Sequence, residues 1–122
     1  MTDGQKDIVC NQVFYEERPE LPRISTIAQS VDRIKEDNVR GLYSKSLAQL
    51  EQMGFELQPR AQDTVSGFYR GKRILRIYPK RQFFAIRILE ADGSWTSRIR
   101  IKTAVDWENF LKQHLEPRVQ TE

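Results

Sequence analysis

Arginines and aromatic rings are the side chains with the most chemistry to offer in this 122-residue sequence. Residues 70–102 hold Arg70, Lys72, Arg73, Arg76, Lys80, Arg81, Arg87, Arg98, Arg100 and Lys102 against two acids, Glu90 and Asp92. This third of the chain is net +8, whereas residues 1–69 are net −3 and residues 103–122 net −2, so the modest total of +3 hides a strongly polar distribution. A guanidinium presents a planar fork of donors that fits phosphate or carboxylate, and it also stacks on aromatic planes. Tyr78 and Trp95 lie in the same stretch. Such chemistry suits a polyanion or an acidic protein surface.

Catalytic and metal-binding signals are weak by comparison. His114 is the single histidine and Cys10 the single cysteine, too few for an ordinary zinc site. His114 falls on or beside an apolar helical stripe, where packing explains it. Cys10 has only Lys6 nearby to lower its pKa. Ser44, Ser46, Ser66, Ser94 and Ser97 sit in no nucleophile elbow. Gly67-Phe-Tyr-Arg-Gly71 matches neither a dinucleotide fingerprint nor a phosphate loop. Asp63, Glu90 and Asp92 could hold Mg²⁺ for a nuclease, but Glu90 and Asp92 read as turn residues. The reading carries no enzyme activity, no cofactor and no metal.

Length and composition bound the rest. The length suits one domain, 1–122, with 1–7 and 117–122 as frayed tails. Apolar residues make up 39%, above a disordered composition. No stretch has the roughly 18–20 apolar residues of a membrane span. The polar N-terminus lacks a signal-peptide core. One cysteine allows no intrachain disulfide, so the expected compartment is cytoplasmic, without a membrane partner.

The elements that must position the arginines follow from periodicity. Residues 8–15 are rich in β-formers and can add a strand; Glu16 to Pro22 is a loop. Ser25 or Thr26 caps a helix with an Ile27, Val31 and Ile34 stripe, ending at Lys35–Asn38. A second runs from Val39 or Leu42 to Met53, with Gly54 in the left-handed position beyond it and Phe55 folding back on the last turn. Residues 58–64 read as a loop. Four strands then follow: Val65–Tyr69, a Gly71-Lys72 turn, Arg73–Tyr78, Phe83–Leu89, and, after an Asp92-Gly93 hairpin, Trp95–Lys102. Thr103 to Asp106 resembles a capping box opening a last helix, with Trp107, Phe110, Leu111 and His114/Leu115 on its stripe and Pro117 ending it. The predicted fold is α+β: a four-stranded antiparallel meander covered on one face by helices, in the order (β)ααββββα.

Strand alternation sorts the side chains. Leu75, Ile77, Phe84, Ile86, Ile88, Ile99 and Ile101 form an apolar face, and Ile74, Ala85 and Leu89 fall opposite. That opposite face presents Arg76, Tyr78, Arg87, Arg98, Arg100 and Lys102, with Trp95 nearby. These seven are the candidate binding residues. A solvated antiparallel face can carry arginines for no reason beyond solubility. The scarcity of acids among them argues for a partner, since like charges across strands repel. The helix–helix–strand order is also similar to winged-helix DNA-binding domains, but the second helix exposes a mixed set, Arg40, Lys45, Gln49, Glu51 and Gln52. The expected function is a small non-enzymatic domain whose basic sheet face binds nucleic acid, DNA or RNA; the alternative is an interaction module, adaptor or inhibitor, docking an acidic protein. Arg87→Glu with Arg98→Glu should keep the fold and abolish binding.

Overall fold

The computed structural model describes residues 26–60 and 63–119. The possible strand at 8–15, the loop at 16–22, the Ser25 cap, Cys10 and the tail from 120 onward lie outside the described residues. Helix α1 spans Ile27–Asp32 and opens on Thr26, whose hydroxyl accepts from the Gln29 N–H at 3.1 Å. Helix α2 spans Asp37–Gln52. Its cap is Glu36, whose carboxylate accepts from the Val39 N–H at 2.8 Å and sits favourably at the positive end of the helix dipole. Val39, Tyr43, Leu47 and Leu50 are its buried stripe, at the spacing a helical face requires.

Gly54 follows with φ of 106°, a conformation open to glycine and strained for other residues. Beyond it the chain becomes a sheet of five antiparallel strands in sequence order: β1 Phe55–Arg60, β2 Thr64–Tyr69, β3 Lys72–Pro79, β4 Phe84–Ile88 and β5 Ile99–Ile101. The expected four strands therefore become five. The missed one is β1, whose second half, Gln58 to Arg60 with Pro59, falls in the expected loop at 58–64. β1 lies at the edge of the sheet among the described strands, where a proline is tolerated because no outer neighbour there needs its N–H. The fourth expected strand is shorter than Trp95–Lys102. Only Ile99–Ile101 pairs fully, and Trp95 makes an isolated bridge to Leu89.

The β2–β3 turn is Arg70-Gly71 rather than Gly71-Lys72. Both residues have positive φ, 53° and 83°, as a two-residue hairpin matched to strand twist requires. A bulge between Gly67 and Phe68 breaks the β2–β3 register: Gly67 pairs with Leu75 and Phe68 with Arg73, leaving Ile74 as the extra residue. Ile74 and Leu75 both enter the core, where strict alternation had turned Ile74 outward. Leu89, also assigned to the open face, packs against the core.

Helix α3, Ala104–Phe110, opens with the expected capping box: the Thr103 hydroxyl accepts from the Asp106 N–H, and the Asp106 carboxylate accepts from the Thr103 N–H. It does not stop at Pro117. It passes through a π-helical turn, Leu111–Leu115, into a short helix α4, Glu116–Val119. The widened turn lies just before Pro117, where an ordinary ladder would lose a donor and meet the proline ring.

The helices and the sheet share one core. Tyr43 of α2 meets Phe84 of β4 edge-to-face at 4.9 Å, and Trp107 of α3 lies 6.4 Å from Phe84. The Trp107 indole N–H donates to Gln49 Oε1 at 2.9 Å, tying α3 to α2. Tyr43 is fully buried and its hydroxyl donates to Ser30 Oγ at 3.0 Å. Burial pushes this phenol up to about 12, against the smaller opposing effect of that hydrogen bond. His114 stacks on Phe110 at 5.8 Å, consistent with packing.

Candidate functional site

The sheet face away from the core is built in rows that cross the strands. Gln58, Ser66, Arg76 and Arg87 form one row over four strands. Tyr78, Ala85 and Arg100 form a parallel row over β3, β4 and β5, with Arg60 opposite Thr64 on β1 and β2. Four aromatic rings stand among these residues: Phe68, Tyr78, Phe83 and Trp95. None of the four belongs to the core cluster or to the apolar residues packed against it.

Each ring is paired with guanidinium. Arg76 lies 4.4 Å from the Trp95 centroid and Arg73 5.7 Å from the same ring. Arg98 covers Tyr78 at 4.4 Å, Arg100 covers Phe83 at 4.4 Å, and Arg60 lies 5.4 Å from Phe68. A cation over an aromatic face gains about 0.5–1 kcal/mol when exposed and more when desolvated. These contacts place a guanidinium beside each ring, so cationic and aromatic side chains alternate across the face.

No acid among the described residues is ion-paired to this array. Among the described residues the ion pairs are Arg33 with Asp63 at 2.7 Å and Arg40 with Asp37, both on other parts of the molecule. Arg76 and Arg87 oppose each other directly across β3 and β4, a like-charge pairing that costs stability. Local acceptors offset part of it. Arg87 Nε donates to the Thr96 carbonyl at 2.8 Å, and both arginines act on the Tyr78 phenol. Burial on its own would push the Tyr78 phenol up; the hydrogen bonds and charges of Arg87 and Arg76 outweigh it and hold the phenol below its ordinary value. The Arg76 Nε–H is buried and finds no acceptor among the described residues.

Between β1 and β3 this face is hollowed into a shallow, open concavity of about 680 Å³. Thr64, Ser66, Phe68 and Tyr78 line it together with Arg60, Arg73 and Arg76.

Of the seven residues proposed from sequence, Arg76, Tyr78, Arg87, Trp95, Arg98 and Arg100 come together on this face. Lys102 does not join them. It lies past the end of β5, its N–H donating to Asp106, in a separate groove with Glu36, Asp37 and Lys45. Arg87 doubles as a fastener for the β4–β5 connection, so reversing its charge disturbs the fold as well as the face. Sequence reading missed Arg60, Phe68, Arg73 and Phe83. Phe68 was accessible to it, since strand alternation from Val65 turns Phe68 outward. Arg73 was not, because the bulge that turns it to this side breaks alternation.

Among the described residues no helix is long and apolar enough to cross a membrane, and no group of three His, Cys, Asp or Glu side chains is placed to hold a metal ion. No protein-family model matches the chain, and neither a curated protein nor a solved structure is significantly similar to it.

Proposed function

We propose that the open sheet face is a nucleic-acid-binding surface, acting without catalysis. The observation that carries this reading is the interleaving of six arginines, Arg60, Arg73, Arg76, Arg87, Arg98 and Arg100, with four non-core aromatic rings, none of these arginines ion-paired to an acid among the described residues. Phosphates would meet the forks, and unpaired bases would lie over guanidinium planes already stacked on rings. An open sheet face of five strands suits an extended single strand better than a duplex groove, which takes an inserted helix or ribbon.

Fluorescence anisotropy with labelled single- and double-stranded DNA and RNA at roughly 50 and 200 mM salt tests this. The reading expects saturable binding that weakens steeply with salt and favours single strands. No binding at the lower salt overturns it. The alternative, an acidic protein partner on the same forks, then takes its place.

A further inference from the structure

The concavity has a donor arrangement of its own. Strict alternation would put Arg73 and Arg76 on opposite faces of β3. The Gly67/Phe68 bulge brings both to the open face, where both guanidiniums reach the Trp95 ring. Ser66, cross-strand from Arg76 and 2% exposed, lines the concavity, and no described residue engages its hydroxyl. The Arg76 Nε–H is buried without an acceptor. Among the described residues no carboxylate lines the concavity.

We infer that this concavity seats one phosphoryl group, held by the Arg73 and Arg76 guanidiniums and by the Ser66 hydroxyl. Donors arriving from two strands suit a tetrahedral group with several acceptor oxygens better than a planar carboxylate with two. The seat rests on the nucleic-acid reading for its biological source, which is either an internal phosphodiester or a terminal phosphate. The rings of Phe68 and Tyr78 beside it would flank the attached sugar or base.

The test is a titration of the ¹⁵N-labelled protein, read at the arginine Nε–H and backbone amide resonances. The probes are inorganic phosphate, a 5′-phosphorylated hexathymidylate and the same hexamer without the terminal phosphate. Inorganic phosphate should shift the Arg73 and Arg76 Nε–H signals and the Ser66 amide with a saturating curve, and leave the Arg100 Nε–H in place. Ser66→Ala should weaken phosphate binding about tenfold, the loss of one hydrogen bond to a charged group. Arg73→Gln, an exposed change that spares the core, should weaken it at least as much, and Arg100→Gln should leave it unchanged. Tighter binding of the phosphorylated hexamer identifies a terminal phosphate; equal binding of both hexamers at these residues identifies the phosphodiester.

Shifts spread over all arginines without saturation, or equal losses from Arg73→Gln and Arg100→Gln, overturn the seat. Phosphate binding at these residues with no binding of any polynucleotide supports the seat and removes the nucleic-acid reading. Polynucleotide binding that leaves Ser66, Arg73 and Arg76 unshifted does the reverse.

Discussion

Tyr78 and Tyr43 are two phenols with opposite environments, and each makes a prediction. Tyr78 is held low by Arg87 and Arg76. An ultraviolet titration should show one tyrosine ionising below the ordinary range, and Tyr78→Phe should remove that phase. Bound polyanion, by drawing the guanidiniums away from the phenol, should move the phase upward. Tyr43 is held high, to about 12. Above pH 10 the unfolded chain releases the Tyr43 proton while the folded protein keeps it, so stability falls as pH rises from about 10 to about 12. The loss reaches roughly 3 kcal/mol, the product of about two pKa units and 1.36 kcal/mol each. Chemical denaturation at pH 9 and pH 11 should show about half of it, roughly 1.4 kcal/mol, and Tyr43→Phe should flatten that part of the curve. The unpaired Arg76 Nε–H belongs to this scale as well. A buried donor without an acceptor costs about 1–3 kcal/mol, a cost the fold carries on the face proposed to bind.

The bulge is the element on which the site turns. Gly67 makes it feasible, because a Cβ at that position would stand 3.0 Å from the Leu75 Cβ across the strands. Gly67→Ala should therefore cost about 1–3 kcal/mol through crowding, read as a lowered denaturation midpoint. It should also disturb the Arg73 and Arg76 resonances more than those of Arg100. Phe84 provides the control for the core face. It is 1% exposed between Tyr43 and Trp107, so Phe84→Ala should cost about 3–5 kcal/mol, and a near-neutral result would contradict the strand register.

The helices and most of the arginine face were legible from local rules: apolar stripes, the Thr26 cap, the Thr103–Asp106 box and the outward parity of Arg76, Arg87, Arg98 and Arg100. What escaped was non-local. Pro59 reads as a strand breaker until β1 is known to lie at a sheet edge. The parity of Arg73 and Ile74 depends on a register shift that only the partner strand reveals. Lys102 has the right parity, yet the chain has already left the sheet for α3 when it is reached.

For the whole molecule the uneven charge of the chain becomes an uneven surface. The sheet buries its apolar side beneath the helices and turns six arginines outward, while the two ion pairs described lie elsewhere. If four or five of those arginines meet phosphates, the slope of log binding constant against log salt should be on the order of −3 for a single strand. A slope near zero would mean that the charges do not carry the contact.

The central claim is that this face, and not net charge, makes the binding surface. Arg98→Glu with Arg100→Glu tests it most directly, because both side chains are exposed and lie on rings outside the core. The comparison is Lys45→Glu with Lys112→Glu, an equal charge change on exposed helical positions. With both variants folded by circular dichroism, anisotropy with a single-stranded oligonucleotide should show binding abolished in the first and largely kept in the second. Equal losses in the two would contradict the account.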